Sequence, residues 1–141
     1  MMQLNPKSIF HYISYLQYPL LLIAIFYVLE PILQGFEYPW LSINKALIFM
    51  GIGISFSTLQ DTHKTQNNFS KKVWENPKKG KFFLILMGMT MLFFLIVGII
   101  GLYAAEEAIL KEISLGTIVL GIGYMSLWKS AMEMFEYHRK D

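Results

Sequence analysis

The chain has 141 residues, of which 55% are hydrophobic and 16% charged, with a formal net charge of +2 and a mean hydropathy of +0.44. A water-soluble globule needs a largely polar surface, so this composition excludes that class. The absence of cysteine excludes disulfides, thiolate metal sites and thiol nucleophiles together.

Hydropathy places four apolar spans at residues 12–34, 40–60, 82–104 and 113–134. Each reaches the roughly 20 residues that cross about 30 Å of hydrocarbon as a helix. In lipid only helices or closed barrels satisfy their own backbone groups, and these runs are too long and too continuously apolar for barrel strands. The expected fold is therefore all-α: an integral membrane protein with four transmembrane helices in an up-down bundle, forming one domain over residues 1–141. The first span lacks the basic region and small-residue cleavage site of a signal peptide, so it is expected to remain as a mature helix.

Within the first span, Pro19 follows Tyr15, Gln17 and Tyr18 and is expected to kink the helix. Further on, Glu30 precedes Pro31, which could end the helix early. Glu30 lies about seven residues before the hairpin tip at Glu37 and Lys45 about eight after it, so an antiparallel hairpin brings them to similar depth. They are expected to form an intramembrane charge pair, although Lys45 could instead snorkel to the interface.

The second span carries a sorted face. Asn44, Ile48, Gly51, Ser55, Thr58 and Thr62 recur at alternating spacings of four and three, along one side of a helix. Small and weakly polar residues allow close helix approach, and a transport pathway could be lined by the same types. The connection over residues 61–81 holds Lys64, Lys71, Lys72, Lys78, Lys79 and Lys81, interrupted by Phe69, Val73 and Trp74. Lys71, Lys72, Trp74, Lys78, Lys79 and Lys81 are expected to contact anionic lipid headgroups, each lysine contributing about 1 kcal/mol. Nucleic acid is not an expected partner, because the basic stretch is short and already held at a charged lipid surface. Short lysine-rich loops stay on the cytoplasmic side, so both termini and this loop are expected inside a bacterial cytoplasmic membrane.

The fourth span repeats the small and polar pattern with Ser114, Thr117, Gly121 and Tyr124. Sliding the chain by 70 residues matches Glu37, Ile43, Ile48, Gly51, Ile52 and Gly53 with Glu107, Ile113, Ile118, Gly121, Ile122 and Gly123, six identities in seventeen positions. Two tandem helical hairpins would explain this, as would chance matches between apolar helices. With its hairpin turn after the Gly101-Leu102-Tyr103 step, the layout resembles bacterial two-helix-repeat membrane proteins of the YiaA/YiaB kind. The first hairpin lacks that step, and no residue role or activity follows from the likeness.

Asp61, His63, Glu133, Glu136, His138 and His11 gather near one membrane boundary, but their spacings match no helical zinc motif, and no metal or cofactor is expected. The expected function is that of a non-enzymatic structural or accessory membrane protein that forms a homo-oligomer or joins a larger membrane-protein partner. The alternative is a small oligomeric transporter or channel using the Glu30 and Lys45 region. Small multidrug transporters also have four spans and a carboxylate in the first helix, but here that carboxylate comes late.

Overall fold

Proline, glycine and capping side chains set the helix ends that hydropathy locates only roughly. The computed structural model describes residues 6–63 and 68–140, so Lys64 and Asn67 of the basic connection lie outside the described residues. Six helices follow in order: α1 (Pro6–Ser14), α2 (Gln17–Gln34), α3 (Trp40–Ser57), α4 (Asn68–Trp74), α5 (Pro77–Tyr103) and α6 (Ala108–His138). Four segments, with α1 and α2 counted as one, are long and apolar enough to cross a membrane.

Pro19 does more than kink the first span. The proline ring excludes the carbonyl four residues earlier, and the helix breaks there, at Tyr15 and Leu16. Shorter bonds from Tyr15 N–H to Tyr12 and from Leu16 N–H to Ile13 bridge the break. Pro31, by contrast, does not end α2. The helix runs on to Gln34 and closes at Gly35, whose φ of +91° is the left-handed conformation that suits glycine. The N–H groups of Gly35 and Phe36 both return to the Pro31 carbonyl.

The third span starts at Pro77, five residues before its hydropathy boundary. Asn76 caps it by accepting from Lys78 and Lys79 N–H, with proline in the first turn. Charged first-turn residues hide such a start from a hydropathy scale. The fourth span likewise extends to Ala108–His138, and at 31 residues it is about 46 Å long, well beyond the hydrocarbon thickness.

Contacts fix how the spans lie together. α2 packs antiparallel on α3, with Leu20 and Leu21 beside Gly53 and the Tyr27 ring 5.7 Å from Phe49. α5 packs antiparallel on α6, where Gly101 meets Ser114, Leu95 meets Gly121, Trp128 covers Gly88 and Phe135 covers Gly80. α3 and α6 run parallel, Asn44 lying beside Gly116 and Gly51 beside Gly123. The spans thus alternate up and down, and their spatial order is α2, α3, α6, α5. Among the described residues no packed face joins α2 to α5.

Small residues sit inside and large apolar ones outside. Ala24, Ala46, Gly51, Gly98, Ser114, Gly116, Gly121, Gly123 and Ala131 are buried, while Leu22, Phe26, Leu33, Ile85, Met89, Phe93 and Ile96 are exposed. Such an inverted distribution fits lipid as the solvent, where close backbone packing replaces the hydrophobic effect as the force between helices. The two Gly-Ile-Gly segments face different neighbours: Gly51 and Gly123 meet each other, Gly53 meets α2 and Gly121 meets α5.

The α3–α6 seam leaves no room for a methyl group. A Cβ at Gly51 would lie 2.5 Å from the Val119 carbonyl oxygen, and one at Gly116 would lie 2.6 Å from the Asn44 carbonyl oxygen. Gly51→Ala and Gly116→Ala are therefore expected to destabilise the protein in detergent by about 1–3 kcal/mol each. A Cβ at Gly53 would meet the Leu21 side chain at 3.1 Å and Leu20 Cβ at 3.5 Å, with no backbone atom among them, so Gly53→Ala should cost less, offset by alanine's helix preference. Thermal unfolding of the three variants checks the order.

Candidate functional site

At the hairpin-tip end, Glu30 and Lys45 take separate partners. The Glu30 carboxylate accepts from Ser42 Oγ at 2.7 Å and from Gln34 Nε2 at 3.4 Å. The Lys45 ammonium sits 5.3 Å from the centre of the Tyr27 ring, in cation–π range. The expected ion pair is thus replaced by Glu30–Ser42 and Lys45–Tyr27. Equal distance from the tip fixes depth roughly but not azimuth. The observed register sets Glu30 opposite Ser42, and Lys45 lies three residues, nearly one helical turn, further along.

The sorted face of α3 is divided between packing and a cavity. Asn44 Oδ1 accepts from Gly116 N–H at 2.7 Å, and Gly51 lies against α6. Ser55 donates to the Gly51 carbonyl and Thr58 to the Ser55 carbonyl, so these hydroxyls bond their own helix, as serine and threonine commonly do in apolar surroundings. Thr58 ends α3 and lines a cavity.

This cavity, about 650 Å³, lies at the lysine-rich end between α1, α4 and the ends of the four spans. Its walls carry His11, Tyr12, Gln17, Ser57, Thr58 and Ser130, together with Lys7 and Asp61. Trp74, Met87, Leu127, Ala131 and Met134 form an apolar floor. Gln17 is only 8% exposed, yet among the described residues its amide has no hydrogen-bond partner. In the sequence Gln17 belongs to the polar aromatic cluster with Tyr15 and Tyr18 beside the Pro19 kink, which could shape packing or form a ligand vestibule. What places its amide in the cavity is the helix break, which its own position does not reveal.

The basic connection separates its lysines from its tryptophan. Lys71, Lys72, Lys78, Lys79 and Lys81 are exposed. Trp74 is buried instead with Val73, Ala131 and Phe135, and its Nε1 donates to Ser70 Oγ at 2.9 Å. The expectation that Trp74 meets lipid headgroups is corrected by this packing: Trp74 turns to the protein and the cavity wall, while Phe69 on the same helix is exposed. Beyond α4, Glu75 holds the segment that follows α6. Lys140 Nζ lies 3.0 Å from its carboxylate, and Lys140 N–H donates to the Glu75 carbonyl at 3.2 Å. The hydrogen bond from Lys140 holds the Glu75 carboxyl below the ordinary glutamate range, with Lys71 and His138 adding to the same effect.

At the opposite end Tyr38 Oη donates to Glu112 Oε2 at 2.6 Å, joining the first hairpin tip to α6. That bond to a carboxylate raises the tyrosine pKa above its ordinary value, aided by burial and by the negative charge. His63 stacks edge-on against Tyr137, 4.2 Å between ring centres, and His138 Nδ1 lies 3.0 Å from the Met134 carbonyl. No group of three or more histidine, aspartate or glutamate side chains forms a metal site among the described residues.

No protein-family model, curated protein or solved structure matches the chain. Its likeness to two-helix-repeat membrane proteins therefore rests on the Gly101-Leu102-Tyr103 step alone.

Two outcomes follow from these contacts. In a double-mutant cycle, Glu30→Gln with Lys45→Met should be additive within about 0.5 kcal/mol, whereas Glu30→Gln with Ser42→Ala should show coupling near 1 kcal/mol. The pH dependence has opposite signs at the two ends. The depressed Glu75 contributes stability above the ordinary glutamate pKa that is lost as pH falls through its lowered value. The raised Tyr38 contributes stability below the ordinary tyrosine pKa that is lost as pH rises through its raised value. Acid and alkaline unfolding of Glu75→Gln and Tyr38→Phe read the two limbs separately.

Proposed function

We propose that the protein is a non-enzymatic structural or accessory component of a bacterial cytoplasmic membrane, acting as a homo-oligomer or beside a larger membrane protein. The carrying observation is that the membrane-interior part of the α3 polar stripe, the natural lining for a pathway, is taken up by packing, with Asn44 bonded to Gly116 and Gly51 closed against α6, and only its Thr58 end opens on the cavity. Glu30 and Lys45 likewise hold partners within the first hairpin. Parallel α3 and α6 support reading α2–α3 and α5–α6 as tandem hairpins about an axis along the membrane normal.

In this reading both termini and the lysine-rich end face the cytoplasm, and Lys71, Lys72, Lys78, Lys79 and Lys81 rest on anionic headgroups. The positive-inside distribution and the exposure of these five lysines support it. Lipid is the primary partner and nucleic acid is not one. The alternative, a small oligomeric transporter or channel, draws on the cavity of about 650 Å³ at the lysine-rich end.

Cysteine probes at Lys72 should be modified only from the cytoplasmic side, and probes at Gln34 or Glu107 only from outside. Reversed labelling would overturn the orientation. Proteoliposomes containing the protein should show ion and proton flux no greater than empty vesicles. Flux abolished by Glu30→Gln or Thr58→Val, with stability retained, would replace the accessory reading with the transport one. Changing Lys71, Lys72, Lys78 and Lys79 together to glutamine should leave folding intact but reduce recovery with anionic lipid and flatten its salt dependence.

A further inference from the structure

Gln17 occupies an unusual position. Its residue is more than nine-tenths buried, its amide lines the large cavity, and among the described residues that amide bonds to nothing. That amide is not enclosed but opens onto the cavity, so its hydrogen-bonding capacity is left for a polar molecule seated there. The surroundings describe that molecule. Ser57 and Thr58 close α3 on one side, and Ser130 of α6 stands on another, offering hydroxyl oxygens around the amide. Below them Met87 and Leu127 form an apolar floor.

Depth agrees with this division. Gln17 begins α2 and Thr58 follows α3, so the polar wall stands where the spans meet the lysine-rich surface. Met87 lies ten residues inside the start of α5, about 15 Å deeper along the helix. The site is therefore polar at headgroup level and apolar toward the hydrocarbon, and its volume of about 650 Å³ is in the range of small-molecule sites.

Charge narrows the class. The exposed lysines that would draw an anionic lipid are absent from the lining, which instead carries one ammonium, Lys7, and one carboxylate, Asp61. We propose that this cavity binds the head of a zwitterionic phospholipid, a phosphate diester bearing an ammonium, with the Gln17 amide as its central hydrogen-bonding group and the upper acyl chains on the Met87 and Leu127 floor. The inference rests on the membrane placement of the chain but not on its accessory role.

Native mass spectrometry of the detergent-purified full chain after delipidation tests it, using phosphatidylethanolamine, phosphatidylglycerol and soluble glycerophosphoethanolamine as probes. One phosphatidylethanolamine per chain should be retained, at least tenfold more tightly than either of the others. Gln17→Leu should weaken that retention at least tenfold without lowering the melting temperature in lipid-free detergent, because the amide has no protein partner to lose. Thr58→Val, on the opposite wall, gives a second reading should Gln17→Leu fail to fold. Three outcomes overturn the site: no retained lipid, equal retention of phosphatidylglycerol, or retention unchanged in the variants that fold. Soluble headgroup bound as tightly as lipid overturns the lipid assignment in favour of a free phosphodiester. Flux in proteoliposomes with lipid retention intact would overturn only the accessory reading.

Discussion

Everything in this fold depends on how closely α6 lets its neighbours approach. In lipid no hydrophobic driving force draws one apolar helix to another, so association relies on dispersion contacts and interhelical hydrogen bonds, both steep functions of distance. α6 serves two neighbours at once. Gly116 and Gly123 open one face to α3, and Ser114 and Gly121 open another to α5. Toward the lysine-rich end the roles reverse on the α5 side, where Trp128 and Phe135 of α6 are received by Gly88 and Gly80. Ser114, Gly121, Trp128 and Phe135 recur every seven residues, the period that keeps one seam aligned over many turns. Each large side chain, Leu95, Trp128 and Phe135, meets a glycine across that seam, and Ser114 meets Gly101.

The same constraint explains the fate of the polar groups. Trp128 Nε1 donates to the Leu84 carbonyl, Asn44 bonds Gly116, and the hydroxyls of Ser114 and Thr117 turn back onto Leu110 and Ile113 carbonyls. Among the described residues no fully enclosed side-chain nitrogen or oxygen is left without a partner. Gln17 escapes that count only because its amide reaches the cavity. Tight glycine packing and complete polar pairing in the middle of the fold thus push the unfilled capacity for binding out to one end.

Much of this was legible in the sequence, for physical reasons that differ by element. Spans were legible because hydrocarbon thickness demands a long apolar run whatever the packing, and the α3 stripe because helical periodicity places Asn44 and Gly51 on one side. Neighbour choice was not legible. Nothing in the text distinguishes the glycine that meets α6 from the one two residues on that meets α2, since their opposite directions follow from helix geometry but their targets do not. Glu30 and Lys45 show the same limit more sharply: hairpin counting carried an error of a few residues, and on a helix three residues separate one partner from another. Trp74 failed for a different reason. An aromatic beside lysines near a membrane suits either the headgroup layer or the inner side of an amphipathic helix, and only the apolar patch formed by Ala131 and Phe135 decides between them.

The two ends of the molecule are held by different chemistry, and that difference bears on how it can move. At the hairpin tips, the Tyr38–Glu112 bond ties α6 to the α2–α3 tip. At the other end Glu75 and Lys140 fasten the tail after α6 to the connection before α5. Between these ties the glycine seams fix α3, α6 and α5 side by side. α2 is the exception: among the described residues its packed face is the one against α3, and the break ahead of Pro19 separates it from α1. At the junction of α1 and α2, bridged by backbone bonds from Tyr15 to Tyr12 and Leu16 to Ile13, Ser14 and Gln17 are buried and Gln17 lines the cavity. A molecule bound there would lie beside this interruption of the helical ladder and take up the unpaired Gln17 amide. Its contacts would join α1 and α2 across the break ahead of Pro19.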